Sequence, residues 1–210
     1  MSQIELKNIC KSYGNRNIIK DFNLSIEKGE FIGIKGNSGA GKTTLLNIIG
    51  LLEPCEGEIQ FDGDLVSCGN QKQVKQILKD RIGYLFQNFA LIDDLTVYEN
   101  LKIVMKKEHK EALRKKMAEV LEKLELNENM LEQKIYVLSG GEQQRIAIAR
   151  LMLKECDIIL ADEPTGSLDV ENGRIILELL KKLQKEDKTV IMVSHDERAF
   201  VYCTRVIELK

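Results

Sequence analysis

The chain has 210 residues with 31 basic and 33 acidic side chains, and this near-balance argues against a polyanion-binding surface over the whole molecule and predicts no nucleic-acid partner. Its apolar residues, 43% of the total, never form the run of roughly 20 that a membrane-spanning helix needs, and the N-terminal segment lacks the apolar core of a signal peptide. The five cysteines are scattered without a Cys-x-x-Cys pair, which argues against structural zinc or a disulfide scaffold and favours a soluble protein of a reducing cytoplasm.

The first sixty residues are predicted to be rich in β-strands. Residues 4–9 and 22–27 alternate apolar and polar side chains with the period of two that strands show. Residues 31–34 form a short apolar run typical of a buried strand. Residues 42–52 have the apolar face of a helix, which Pro54 is expected to end.

The middle of the chain has a different pattern. Residues 97–126 are rich in lysine and glutamate, and their apolar residues recur at helical spacing. We therefore expect a mainly helical subdomain over residues 88–150 within one domain of residues 1–210. Residues 1–87 and 151–210 are expected to form the remaining β-rich part.

The β/α pattern returns near the C-terminus. Residues 158–162 and 190–194 are apolar runs typical of buried strands, and residues 171–184 between them have a helical pattern. Apolar strands that alternate with helices predict an α/β fold with a mostly parallel sheet covered on both faces.

A glycine-rich loop follows the strand at 31–34. Residues 36–43, GNSGAGKT, match the phosphate-binding pattern G-x-x-x-x-G-K-[ST] between a strand and a helix. Such a loop presents backbone N–H groups to phosphate, and the helix dipole adds positive potential. Lys42 would bridge the β- and γ-phosphates, and the Thr43 hydroxyl would bind Mg²⁺. The predicted loop contacts to ATP are Gly36, Asn37, Ser38, Gly39, Ala40, Gly41, Lys42, Thr43 and Thr44. The alternative is a glycine-rich turn that matches the pattern by chance, but such a turn would not be expected to lie between an apolar strand and a helix.

Polar side chains follow the other apolar strands. Asp162 ends the strand at 158–162 and suits Mg²⁺ held through water, whereas Glu163 could polarise the attacking water. Taken alone they would be a solvated strand end, but beside a phosphate loop they predict a hydrolytic site. His195 follows the run at 190–194 and could contact the γ-phosphate. Gln87 follows another apolar run and could complete the Mg²⁺ and water shell.

Residues 138–145, LSGGEQQR, place a hydroxyl and two glycines at the start of a predicted helix. This is a second potential anion-binding terminus, although Ser139 and Glu142 would also form a capping box. With this segment the whole chain resembles the nucleotide-binding subunit of an ATP-binding-cassette (ABC) transporter. The family motifs occur here in the family's order and spacing.

The resemblance assigns a role to each motif. It identifies residues 36–43 as the Walker A loop, 158–162 as the Walker B strand and 138–143 as the signature. It further implies that Glu163 is the catalytic glutamate, Gln87 the Q-loop residue and His195 the switch histidine. Ser167 and Asp169 would belong to the D-loop, and Tyr13 would stack on adenine. The signature contacts would be Ser139, Gly140, Gly141 and Glu142. For Tyr13, packing against neighbouring strand residues is the alternative.

The family resemblance also implies an architecture and an activity. The expected fold is a RecA-like P-loop core with an N-terminal antiparallel β subdomain and a helical signature subdomain. The expected reaction is ATP + H₂O to ADP + phosphate. Two ATPase subunits, most simply a homodimer, would pair head to tail so that Ser139 of one approaches ATP on the other. Transmembrane permease subunits would dock in a groove near Gln87, bordered by residues 88–100, which places the chain on the cytoplasmic face of the plasma membrane.

Finer similarities suggest a branch of the family. Residues 47–52, 86–89 and 95–100 are similar to the MacB/LolD branch, and residues 89–94 are similar to ATPases of bacteriocin exporters. These similarities imply a separate permease that exports a peptide or lipid-linked substrate. The alternative is an FtsE-like mechanotransmission ATPase that moves no substrate. The C-terminal strand-turn extension of relatives is expected to be short or absent.

Overall fold

The structure is a computed structural model that describes residues 2–67, 69–166 and 168–209. In chain order the strands are β1 (Ser2–Tyr13), β2 (Arg16–Glu27), β3 (Phe31–Lys35), β4 (Glu56–Phe61), β5 (Asp64–Val66), β6 (Ile82–Leu85), β7 (Ile158–Asp162), β8 (Thr189–Val193) and β9 (Arg205–Glu208). The helices are α1 (Lys42–Ile49), α2 (Gln71–Asp80), α3 (Val97–Lys102), α4 (Lys110–Lys123), α5 (Gly140–Leu153) and α6 (Val170–Lys185). Short 3₁₀ segments span Glu128–Glu132, Ile135–Val137 and Glu197–Tyr202.

The strands form two sheets. The N-terminal strands make an antiparallel sheet in the order β2-β1-β4-β5, in which Leu6 pairs with Leu24 on one side and Ile59 on the other. The other five strands make a parallel sheet in the order β6-β7-β8-β3-β9. This architecture confirms the predicted fold class, including the antiparallel β region and the parallel core.

The parallel sheet has a hydrophobic cluster on each face. In β7, Ile159 and Ala161 join the cluster that contains residues of α3 to α6. The alternate residues Ile158 and Leu160 join the cluster that contains α1 and the antiparallel sheet. Because successive side chains of a strand point to opposite faces, these apolar strands are buried on both sides. The site described below therefore lies at the edge of a sheet packed on both faces.

Several element boundaries differ from the predictions. Helix α1 ends at Ile49 rather than at residue 52, because Gly50 closes it with backbone bonds and Leu51 adopts a left-handed φ of 55°. Helix α2 and strand β9 were not predicted.

Two expectations from composition can be compared with the described residues. Cys10, Cys156 and Cys203 are free thiols, and Cys68 lies outside the described residues. In the same part of the chain, no helix is both long and apolar enough to cross a membrane.

Candidate nucleotide-binding and catalytic site

The loop between β3 and α1 has a shape that only glycine permits at two positions. A Cβ atom on Gly36 would lie 2.5 Å from the carbonyl oxygen of Leu209. Gly41 has a left-handed φ of 89°, and a Cβ atom there would lie 2.5 Å from Cγ2 of Ile18. Since the backbone is packed so tightly, the loop is held in one conformation at the sheet edge.

The same loop leaves hydrogen-bond donors for an anion. Helix α1 has Gly41 at its N-cap and no side-chain capping bond, so no side chain satisfies its first-turn N–H groups. Lys42 Nζ donates to the carbonyl oxygens of Gly36, at 2.8 Å, and Asn37, at 3.1 Å, so its ammonium group spans the loop. An uncapped helix start beside a lysine is suited to bind phosphate.

Thr43 and Asp162 meet at the end of β7. The Thr43 hydroxyl donates to Oδ1 of Asp162 at 3.1 Å, and Asp162 is 7% exposed. Burial raises the pKa of the Asp162 carboxyl; the hydrogen bond from Thr43 acts in the opposite direction, and the Glu163 charge adds to the increase.

These two oxygen-bearing side chains fit the ligand chemistry of Mg²⁺. The described residues contain no cluster of three or more His, Cys, Asp or Glu side chains that could hold a metal. A magnesium ion bound here would therefore take its remaining ligands from nucleotide phosphates and water.

Glu163 and His195 form a pair at the same sheet edge. Oε2 of Glu163 lies 2.7 Å from Nδ1 of His195, and the backbone N–H of His195 donates to the same oxygen at 3.3 Å. Glu163 has a left-handed φ of 45°, which is uncommon for a residue with a side chain. The His195 side chain is 71% exposed and that of Glu163 is 14% exposed. The carboxylate is therefore held in place beside an accessible imidazole.

Gln87 lies at the same edge but stands apart from these contacts. It follows β6, in which Leu85 pairs with Ala161 of β7, so the two strands end side by side. The Gln87 side chain is exposed, and no hydrogen bond joins it to another described residue. Phe89 and Ala90 follow Gln87 in the chain. Their carbonyl oxygens accept hydrogen bonds from the Arg150 side chain of α5, at 2.8 Å and 2.6 Å. Helix α5 thus holds the segment that follows Gln87.

Tyr13 is the last residue of β1. It pairs with Arg16 across the β1–β2 turn, and the Arg16 guanidinium lies 3.7 Å from the position of a Cβ atom on Gly39. Tyr13 is 50% exposed, and its hydroxyl donates to Oε1 of Glu53. Lys11 Nζ lies 5.1 Å from the ring centroid.

The signature segment forms the start of α5. The backbone N–H of Ser139 donates to Oε2 of Glu142 at 2.8 Å, and the Glu142 N–H donates to the Ser139 hydroxyl at 3.3 Å. These bonds confirm the predicted capping box. Ser139 and Gly140 are exposed, and no hydrogen bond between described residues joins this segment to the loop at 36–44.

The predicted D-loop lies at the start of α6. Asp169 is the N-cap and accepts from the Asn172 N–H at 2.9 Å, whereas Ser167 lies outside the described residues.

Gln144 of α5 contacts the segment between β7 and α6, and it was not predicted as a site residue. Gln144 is fully buried, and its Nε2 donates to the Pro164 carbonyl at 2.8 Å. The spacing of Gln144, Ile148 and Leu151 on one helix face is the signal that would have indicated its burial.

Comparison with known proteins identifies relatives over almost the whole chain. The profile of the family described as ABC transporter matches residues 19–166. The uncharacterized ABC transporter ATP-binding protein MJ0796 of Methanocaldococcus jannaschii is 44% identical over 99% of this chain and 93% of that protein. The macrolide export ATP-binding/permease protein MacB of Campylobacter jejuni is 42% identical over 99% of this chain. The chain spans only 33% of the length of that protein.

Solved structures have the same fold. A dimeric structure of MJ0796, described as a bacterial ABC transporter cassette, has a TM-score of 0.90 and 42% identity, and covers 99% of this chain and 94% of that chain. A dimeric post-hydrolysis state of MJ0796 bound to ADP and Pi has a TM-score of 0.89 at 41% identity, with the same coverage of 99% and 94%. CbiO1 of Clostridium perfringens, part of the cbiONQ complex, has a TM-score of 0.87 at 27% identity over 100% of this chain and 85% of that chain.

Proposed function

Because this chain belongs to the ABC transporter family and is an ATPase of that family, we propose that it dimerises on ATP and drives a membrane permease. One observation carries the proposal. The glycine-rich loop, the Thr43–Asp162 contact and the Glu163–His195 pair all lie at one edge of the parallel sheet. Ligands of such sheets bind at this edge.

ATP binding would begin at the loop. The uncapped N–H groups of α1 would hold the phosphates, and Lys42 would exchange its bonds to the Gly36 and Asn37 carbonyls for bonds to the β- and γ-phosphates. The half-exposed Tyr13, which pairs with Arg16 at the β1–β2 turn, would stack its ring on adenine. The remaining contacts would come from Ser38, Gly39, Ala40 and Thr44.

Glu163 would act as the general base on the attacking water. His195, at 2.7 Å, holds the carboxylate and would contact the γ-phosphate from its exposed side. Thr43, with Gln87 and with Asp162 through water, would hold Mg²⁺, which neutralises phosphate charge during hydrolysis. The strained backbone at Glu163 fixes the direction of its carboxylate before substrate arrives.

The site would be completed by a second copy of the chain. The exposed Ser139 and Gly140, with Gly141 and the Glu142 capping box, would present a hydroxyl and N–H groups to the γ-phosphate on the partner. Asp169 would face the partner beside them. In a head-to-tail homodimer, the phosphate loop of each subunit would face the signature of the other, so both copies of each would take part in a site. Two nucleotides would thus lie between the subunits.

The permease would dock beside Gln87. A groove next to this segment is lined by apolar side chains together with Arg150 and Lys154. Two of its residues are exposed large apolar side chains, Leu52 at 48% and Ile103 at 58%. Its lining also includes Tyr84, Phe86, Ala90 and Val104. Exposed apolar patches of this kind are typical of protein contacts. Residues 88–150 would form the helical subdomain that moves with the permease.

The similarity to MacB favours a permease of the MacB/LolD type that exports a peptide or a lipid-linked substrate. The chain would then lie on the cytoplasmic face of the membrane through that permease. Co-purification of the tagged chain from membranes would identify the permease.

Replacement of Glu163 by Gln tests the catalytic role. The variant keeps the size of the side chain but cannot accept the proton of water, so steady-state ATPase activity is expected to fall by roughly 10²-fold or more. ATP binding should remain, and a dimer should persist in size-exclusion chromatography with ATP. Full turnover by this variant would remove Glu163 from its assigned role.

A further inference from the structure

The start of α5 is joined to the segment that follows β7 by a buried side chain. Gln144 is 0% exposed, and its Nε2 donates to the carbonyl of Pro164 at 2.8 Å. Pro164 directly follows Glu163. The bond therefore connects the helix that begins with Ser139 to the residue beside the proposed general base.

Asn172, in α6, makes a second connection, from the start of α5 to Asp169. Its Nδ2 donates to Oδ2 of Asp169 at 2.7 Å, and its backbone N–H donates to Oδ1 at 2.9 Å. Its amide oxygen packs on the signature, since a Cβ atom on Gly141 would lie 3.0 Å from Asn172 Oδ1. One amide thus touches both Gly141 and Asp169. Together, Gly141, Gln144, Pro164, Asp169 and Asn172 are here called the α5–α6 contact.

Stability alone does not account for this arrangement. Oε1 of Gln144 is buried without a hydrogen-bond partner among the described residues, and an unpaired buried polar atom destabilises a fold. An apolar side chain of similar length would remove this unpaired oxygen, but it would also leave the Pro164 carbonyl without its donor. The Asn172 side chain is likewise not needed to start α6, because the Asp169 carboxylate already caps the backbone.

The contact joins groups that would act at different nucleotides. In the proposed dimer, Ser139–Gly141 and Asp169 face ATP held by the partner, whereas Glu163 acts on ATP held by its own chain. We propose that Gln144 and Asn172 are positioning residues that make these groups move as one unit. ATP at one site then aligns the general base of the other, and the two sites act cooperatively. This inference rests on the proposed dimer.

The test uses Asn172→Ala and Gln144→Met, each made with and without Glu163→Gln. In the Glu163→Gln background, ATP-dependent dimerisation is measured by sedimentation, and ATP binding by each chain is measured at dilutions where no dimer forms. In the variants that keep Glu163, the rate of ATP hydrolysis is measured as a function of ATP concentration, which gives the maximal rate and the Hill coefficient. Asn70→Ala is the matched control, because it removes a helix-start hydrogen bond, the Asn70–Gln73 bond of 3.2 Å, at α2.

Both test variants are expected to bind ATP within about twofold of the parent, but to raise the dimer dissociation constant about tenfold, within the range of coupled sites. Their Hill coefficients should fall towards 1, whereas Asn70→Ala should match the parent. Dimerisation and cooperativity equal to the parent in both variants would overturn the inference. So would a parallel loss of ATP binding and thermal stability, which indicates a general structural role. Failure of the Glu163→Gln parent to dimerise would instead overturn the proposed function.

Discussion

At the scale of single residues, the site combines a strained backbone with hydrogen bonds that hold its acids in place. Glu163 has a left-handed backbone, and its carboxylate is bonded to His195 at 2.7 Å. Asp162 next to it is buried and bonded to Thr43. None of these bonds is visible in the sequence. The order of the motifs predicted the residues, but the orientation of each carboxylate depends on strands that lie far apart in the chain.

His195→Ala tests the pairing with Glu163. The variant leaves the carboxylate without its imidazole partner, so we expect turnover to fall by roughly 10²-fold with ATP affinity within about twofold of the parent. The chain has two histidines, which provides a control. His109→Ala should leave turnover unchanged, because His109 is exposed and its side chain makes no capping bond. Equal turnover of both variants would contradict the assigned role.

Gly41→Ala tests the shape of the phosphate loop. The added methyl group would meet Ile18 Cγ2 at 2.5 Å at a φ of 89°, so we expect loss of about 1–3 kcal/mol of stability and at least tenfold weaker ATP binding. Gly63→Ala has a similar φ of 87° but nothing within 4 Å, and it should destabilise without an effect on ATP. Thermal unfolding and ATP titration of both variants distinguish strain from loss of the site.

At the scale of elements, the sequence predicted those with strong patterns and missed those that depend on neighbours. Strands β3, β7 and β8 are continuous apolar runs and were found within a residue or two. Helix α2 was missed because it has a single buried residue, Ile77, and strand β9 because only pairing with β3 makes it a strand. Helix α1 was predicted too long, since an apolar run does not show where Gly50 closes it.

The start of α5 illustrates a motif with two roles. Ser139 caps its helix through Glu142, and Thr96 caps α3 through Glu99 in the same way. Ser139→Ala and Thr96→Ala should therefore each cost about 1 kcal/mol of stability. Only Ser139→Ala should also weaken ATP-dependent dimerisation of the Glu163→Gln variant. If both variants weaken dimerisation equally, capping alone explains Ser139.

The capping box at Ser139 also has a predictable pH dependence. The hydrogen bonds from Ser139 hold the pKa of the Glu142 carboxyl below its ordinary value. A depressed pKa contributes stability above the unfolded pKa, and this contribution is lost as pH falls through the folded value. The difference in unfolding free energy between the parent and Ser139→Ala should therefore be constant near neutral pH and shrink below about pH 4. Urea unfolding across this range measures it.

At the scale of the whole molecule, the parallel sheet brings together residues that are far apart in sequence. Thr43, Asp162, Glu163 and His195 meet because β3, β7 and β8 are neighbours that end at one edge. The signature starts a helix packed in the cluster on one face of that sheet, and no hydrogen bond between described residues joins it to the loop. In the proposed dimer, one chain carries one half of each of two sites, and the signature contact with the partner would account for the exposure of Ser139.

The central claim is that a complete site needs two chains, and mixing two inactive variants tests it most directly. Lys42→Ala impairs the phosphate loop but keeps the signature, whereas Ser139→Arg blocks the signature but keeps the loop. Neither alone should hydrolyse ATP. Mixed in equal amounts, they should regain measurable turnover of at most about a quarter of the parental value. Half of the pairs would be mixed and each would hold one intact site, and loss of the proposed coupling between the two sites would lower the recovered turnover further. No recovery at any mixing ratio, or full activity of Ser139→Arg alone, would contradict a site shared between two subunits.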